Sequence, residues 1–219
     1  MNRNTLTLAI AGSAGNIDVA LDMPTRPPRG VAVIAHPHPL HGGNRDNKVV
    51  QTLARALMAA GFACWRPNFR GVGESAGTHD DGIGETEDML RVVEAARTHE
   101  SMAALAGAPL VLAGFSFGTY VQARTAAALA KCGAPAWRLV LIAPAASRYD
   151  LGLVPEDTLV VHGEIDDVVP LQPVLDWARP QALPILVVPG AEHFFHGRLT
   201  LIKRVVLASL CAGEAPAGE

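Results

Sequence analysis

Ser116 lies between two glycines, each two residues away, in Gly114-Phe115-Ser116-Phe117-Gly118. A serine hydroxyl is a weak nucleophile in water, so a protein that uses one must expose the oxygen on a sharp turn and set a proton acceptor beside it. Glycines at 114 and 118 permit such a turn, because side chains there would collide with the neighbouring strand or helix. The flanks agree. The apolar run Leu110-Val111-Leu112-Ala113 leads in, and an Ala- and Leu-rich stretch from Thr119 to Lys131 leads out. In a chain with 21 glycines the pattern also recurs by chance, and an ordinary strand-to-helix turn with a buried serine would read the same. Its weight depends on partners further along.

A serine nucleophile needs a base and a carboxylate to hold that base, and after a strand–turn–helix serine the expected order is serine, acid, histidine. Val160-Val161-His162-Gly163-Glu164-Ile165-Asp166-Asp167 is a strand running into an acidic turn, and Val187-Val188-Pro189-Gly190-Ala191-Glu192-His193-Phe194-Phe195-His196 is a strand running into a histidine-bearing loop. Consecutive residues point in different directions, so one of Asp166 and Asp167 orients the base, and Asp166 is the better choice. His193 is closer to its strand end than His196, which abuts the last helix, so His193 is the expected base. His162 and His196 read as structural.

An oxyanion that forms on attack needs donors aimed at it. The backbone N–H of Phe117, directly after the serine, is the first, aided by the positive end of the helix that begins there. A second is expected from the loop His36-Pro37-His38-Pro39-Leu40-His41-Gly42-Gly43, where Pro37 and Pro39 have no N–H and His38 does. His36, His38 and His41 also raise a metal-site reading. The intervening prolines make a stiff, extended path that spreads the imidazoles apart, so no metal or organic cofactor is expected.

These residues need a scaffold. Thr5–Ile10 and Asn16–Met23, joined at Gly12-Ser13-Ala14-Gly15, suit an antiparallel hairpin. Residues 30–35, 62–66, 110–114, 139–143, 158–162 and 185–188 are short apolar runs of the kind buried on both faces of a sheet. Helical patterns separate several of them: Lys48–Ala60, closed by Gly61, and Glu85–His99, with acids early and Arg91 and Arg97 later. The expected fold class is α/β, a mostly parallel central sheet with an N-terminal antiparallel hairpin, helices on both faces and no cap domain. Ligands of such sheets bind at the carboxyl ends of the strands, where Ser116, Asp166 and His193 all fall.

Composition narrows the partners. The chain has 219 residues, 49% hydrophobic and 18% charged, with a net charge of −3 and no basic patch, which gives no reason to expect a nucleic-acid partner. Length and uniform texture suggest one domain over residues 1–212 and a tail over 213–219. No apolar run is long enough for a membrane span, and three dispersed cysteines, Cys64, Cys132 and Cys211, suit a reducing compartment, so a cytoplasmic location is expected. Both a monomer and a homodimer are compatible with the sequence.

Together, His36-Pro37-His38-Pro39-Leu40 with Gly42-Gly43, Asn47-Lys48-Val49-Val50, Asn68-Phe69-Arg70-Gly71-Val72-Gly73-Glu74-Ser75, the Ser116 pentapeptide and Gly190-Ala191-Glu192-His193-Phe194-Phe195 form a specific set. On them the chain resembles the α/β-hydrolase superfamily over nearly its whole length, and most of all its small lidless bacterial carboxylesterase-like branch. The resemblance implies a triad of Ser116, Asp166 and His193 and a structural role for Arg70. The chain departs from it in having His36-Pro37 where many members have His-Gly. Lids of the superfamily follow the sixth strand, yet the stretch between Ala143 and Thr158 is too short for a helical cap. An open, shallow site bounded by Leu40, Phe117, Tyr120, Phe194 and Phe195 is therefore expected. The implied activity is cleavage of small-molecule carboxylic esters with short acyl chains. Thioester cleavage or acyl transfer with the same triad, and a hydrolase-like protein that only binds a small ligand, are the rival readings.

Overall fold

The computed structural model describes residues 5–100 and 107–211. The expected tail over 213–219 lies outside these. Eight strands form one sheet: β1 (Thr5–Gly12), β2 (Gly15–Asp22), β3 (Gly30–Ala35), β4 (Phe62–Pro67), β5 (Leu110–Phe115), β6 (Arg138–Ile142), β7 (Leu159–Gly163) and β8 (Ile185–Val188). Their spatial order is β1-β2-β4-β3-β5-β6-β7-β8. β1 pairs antiparallel with β2, and β2 with β4; every other pairing is parallel. All eight strands fall where the sequence pattern places them. The hairpin turn is tighter than expected, since pairing runs on to Gly12 opposite Gly15.

Among the described residues, five α-helices cover the sheet: α1 (Lys48–Ala59), α2 (Ile83–Thr98), α3 (Phe117–Lys131), α4 (Leu171–Ala178) and α5 (Leu199–Cys211). Alternate strand residues feed two cores, because successive side chains leave a strand on opposite faces. Val31, Val33, Leu110 and Leu112 pack with Met89, Val92 and Val121 of α2 and α3. Ala32, Ile34, Val111, Ala113 and Phe115 pack with Leu53 and Leu57 of α1 and Ile202 and Val206 of α5. Burial on both sides explains why β3 and β5 read as unbroken apolar runs. α1 starts where the Asn47 side chain accepts the Val49 N–H at 2.8 Å, and the chain leaves it through Gly61 at φ +88°.

Buried polar groups tie the hairpin to the strand ends. Arg66 Nε donates to Asp22 Oδ2 at 2.7 Å. Asp18 accepts from Arg45 and, at 2.9 Å, from Asn68 Nδ2. Ser75 Oγ donates to the Asn68 carbonyl and accepts the Asp18 N–H, both at 2.9 Å. Each buried charge thus has an opposite charge and further hydrogen bonds, which is the condition for keeping it inside. Arg70 ties the same loop to α2, donating to Asp88 from Nε at 2.7 Å. The segment between β6 and β7, residues 143–158, holds no helix or strand. No helix of the described residues is long and apolar enough to cross a membrane.

Candidate active site

β5 ends against Ser116, whose φ of +54° and ψ of −123° are strained for a residue with a side chain. Three hydrogen bonds hold it there. The Ser116 N–H donates to Ile142 O of β6 at 3.0 Å, and the Ser116 carbonyl accepts the Thr119 N–H at 2.8 Å and its hydroxyl at 2.5 Å. The two flanking glycines are steric requirements. A Cβ on Gly114 would run into the Gly118 carbonyl oxygen, and one on Gly118 would meet the Ala35 carbonyl carbon and the His36 oxygen at 2.7 Å.

β7 and β8 bring the other two groups to this turn. His193 Nε2 lies 3.0 Å from Ser116 Oγ, and His193 Nδ1 lies 2.8 Å from Asp166 Oδ2. A carboxylate only accepts, so Nδ1 carries the hydrogen and Nε2 is left to accept the serine hydroxyl proton. Asp166 Oδ1 takes the N–H groups of Val168 at 3.0 Å and Val169 at 2.7 Å. Burial works to raise the Asp166 pKa. The hydrogen bonds from His193 and the Val169 amide, with the nearby His193 and His162 rings, outweigh it and hold the carboxyl below its ordinary range. Asp167 is exposed. His196 is exposed too, and its Nδ1 sits 2.9 Å from Glu192 Oε1. Glu192 also accepts the Phe194 and His196 N–H groups at 2.8 and 2.6 Å, so the pair shapes the loop that carries His193.

The loop after β3 is anchored by His36, which is fully buried. Its Nδ1 donates to the Pro37 carbonyl at 2.6 Å and its Nε2 accepts the Phe69 N–H at 2.9 Å. Burial, only partly offset by the Pro37 bond, pushes its pKa down to about 3. Both nitrogens are engaged, so His36 is not open to a metal. Among the described residues, no group of three or more His, Cys, Asp or Glu is placed to hold one. His38 follows, with its carbonyl accepting the His41 and Gly43 N–H groups at 3.1 and 3.0 Å. Its own N–H donates to no described residue. The Phe117 amide is the first of α3 and has no acceptor within the helix.

The walls differ from expectation in two places. Phe195 is not part of the cleft: at φ +54° it turns inward and is 0% exposed, packed in the core with Ala191, Ile202 and Val206. The Phe117 ring is likewise buried, its centroid 5.5 Å from Phe69 and 5.3 Å from Tyr149, so it does not form an exposed wall. Leu40 and Phe194 remain on the surface, 71% and 41% exposed, the latter with its ring 5.0 Å from that of His193. Tyr120 stacks on Tyr149 at 4.6 Å.

His79 is a residue that motif reading missed. Its ring lies 4.7 Å from His38 and 5.3 Å from Phe117, the two residues with unengaged amides. Glu85, fully buried, accepts from His79 Nδ1 at 2.9 Å and from the Asp80 and Gly82 N–H groups at 3.0 and 2.9 Å. The signal was faint: a histidine ahead of Asp80-Asp81-Gly82 in a loop at a strand's carboxyl end. The neighbouring His79 and His41 rings and Arg148 add to the effect of burial in lowering the His38 pKa, which favours its neutral form.

Taken as chemistry, the Ser116–His193–Asp166 chain can move a proton from the hydroxyl to the imidazole. The comparisons agree with a hydrolase. The family model for serine aminopeptidase S33 matches residues 27–174. A lidless α/β serine hydrolase from Xanthomonas campestris is 36% identical, with 100% of this chain and 99% of that one covered at a TM-score of 0.85. An α/β serine hydrolase homologue from Coxiella burnetii is 35% identical, with 96% and 98% covered at 0.82. An uncharacterized protein of Rickettsia prowazekii is 28% identical over 197 residues, 84% of this chain and 79% of that protein. The chain belongs to the α/β serine hydrolase superfamily, in its lidless bacterial branch.

Proposed function

We propose that this hydrolase cleaves carboxylic esters with short acyl chains through an acyl-enzyme. The observation that carries the reading is the unbroken chain of 3.0 and 2.8 Å contacts from a strained serine through His193 to Asp166. Ser116 Oγ attacks the ester carbonyl as His193 Nε2 takes its proton, and the carbonyl oxygen, now an anion, lies against the Phe117 and His38 amides. His193 returns the proton to the leaving alcohol. Water then attacks the acyl-Ser116 ester by the same path, releasing the acid and restoring the hydroxyl. Asp166 keeps the imidazole in the tautomer this requires. The short segment between β6 and β7 leaves room for an open site, for which Leu40, Tyr120 and Phe194 are the proposed walls. Such a site suits small acyl groups. The free thiols of Cys64 and Cys132 favour the cytoplasm as the place of action.

Hydrolysis of 4-nitrophenyl butyrate by the wild type and by Ser116→Ala tests the reading. The variant should lose at least a thousandfold in kcat, and equal rates would refute it. The match to a serine aminopeptidase family favours amide cleavage as a second reading. Matched butyrate ester, thioester and anilide substrates separate the possibilities, and a faster anilide would replace the ester assignment.

A further inference from the structure

His162, in β7, is a fully buried titratable group that the proposed reaction does not use. Its Nε2 lies 2.9 Å from the Val169 carbonyl oxygen, seven residues on, across the turn that carries Asp166. A carbonyl only accepts, so Nε2 carries the hydrogen. Nδ1 has no partner. Burial lowers the His162 pKa, outweighing the Val169 bond and the nearby Asp166 charge, so the ring is neutral and its unpaired nitrogen is a bare lone pair. The same Nε2 is 3.6 Å from Asp166 Oδ2, the oxygen that holds His193. That is too long for a hydrogen bond, but in a buried site the N–H dipole still acts on the carboxylate.

In hydrogen bonds, the turn around Asp166 is otherwise pinned on one side only, although the Val169 side chain packs in a small core with Val160 and Val174. Glu164 N–H donates to Val188 O at 3.1 Å and Ile165 N–H to Ala191 O at 3.0 Å, which fasten its first half to the His193 loop. Its second half contains Val168 and Val169, whose amides hold Asp166 Oδ1. Of the hydrogen bonds at Val169, the one from His162 is the anchor that reaches back to the sheet. We propose that His162 is a positioning residue for Asp166: by holding the Val169 carbonyl it keeps two amides on Oδ1 and leaves Oδ2 free and aimed at His193.

The inference rests on the triad reading, and wild-type hydrolysis of 4-nitrophenyl acetate tests that reading separately. If the wild type is inactive, the triad and this role fall together. If it is active, two variants follow. Gln at 162 sets an amide nitrogen where Nε2 was, whereas Asn sets one where the partnerless Nδ1 was. His162→Gln should keep kcat within about threefold, and His162→Asn should lower it about tenfold or more with KM changed less than twofold. The decisive measurement is the rate of Ser116 labelling by a fluorophosphonate, read in wild-type and Asp166→Asn backgrounds. Acting through Asp166, His162→Asn should slow labelling in the first and change it less than twofold in the second. Equal slowing in both backgrounds, or none in either, overturns the proposal. Should His162→Asn fail to fold, a His162→Gln protein that folds yet loses activity as severely as Asp166→Asn would overturn it too, and retention of rate would support it.

Discussion

Phenylalanine in place of His36 removes a titrating group from the interior while keeping a ring in its space. In the folded chain His36 has a pKa of about 3, against an ordinary value of 6.5. As pH falls below 6.5 the unfolded chain takes up a proton that the folded chain refuses, so the neutral ring's contribution is fully present above 6.5 and is lost as pH approaches 3. A gap of about 3.5 units at 1.36 kcal/mol per unit makes this loss about 5 kcal/mol, falling at about 1.4 kcal/mol per pH unit. The variant gives up the bonds to Pro37 and Phe69, leaving a buried carbonyl and a buried N–H unpaired, which costs about 2–5 kcal/mol at pH 7. Urea unfolding followed by tryptophan fluorescence at pH 7, 6, 5 and 4 should show a variant that starts lower and declines more slowly. By pH 4 the difference should have shrunk by about 3 kcal/mol. Carboxylates affect both proteins alike and cancel in the comparison. Two stability curves that run parallel from pH 7 to 4 would refute a neutral, buried His36.

Gly118→Ala should lower stability by about 1–3 kcal/mol, because the new methyl meets the Ala35 and His36 backbone, and should reduce ester hydrolysis more than tenfold; unchanged melting and turnover would count against so close a backbone approach. Arg70→Ala strands the Asp88 carboxylate, whose side chain is 4% exposed, and should destabilise by about 3 kcal/mol by urea titration. Adding Asp88→Asn should recover part of that loss, and no recovery would show that the ion pair is not its source. Burial pushes the Cys64 thiol far up, so iodoacetamide on the folded protein should modify the exposed Cys132 and leave Cys64 intact by peptide mass until denaturant is added.

What could be read in the chain follows from where the determining contacts lie. Ser116 is legible because strand, turn and helix are consecutive and the glycines that the turn needs sit inside the same five residues. The acid and base carry local signals too, each an apolar strand ending in a polar loop, though the strand before His193 proves to be the part-exposed edge of the sheet, and chain order supplies the rest. Phe194 and Phe195 could not be told apart, since which ring turns inward depends on one backbone dihedral in a loop shaped by Glu192. His79 was hidden for another reason. Its neighbours His38 and Phe117 are about forty residues away on either side, and only a folded loop moulded on Glu85 brings the rings together. α2 begins two residues before the expected Glu85 because that carboxylate reaches back to the Gly82 N–H, a bond invisible to periodicity. The Asp18, Arg45, Asp22 and Arg66 network is equally silent in sequence, its members being spread over three separate segments.

The bare link between β6 and β7 has a kinetic consequence. With no helix or strand between β6 and β7 to cap Ser116, the proposed cycle has no lid-opening step, and amphiphilic esters should saturate the protein smoothly through the concentration at which they aggregate. Under the proposed chemistry, no lid shields the acylated serine from water. An alcohol competing for the acyl group must therefore outcompete water at its natural concentration, with no closed state to exclude it, and so under the proposed chemistry the short link from Ala143 to Thr158 biases the protein toward hydrolysis and away from group transfer.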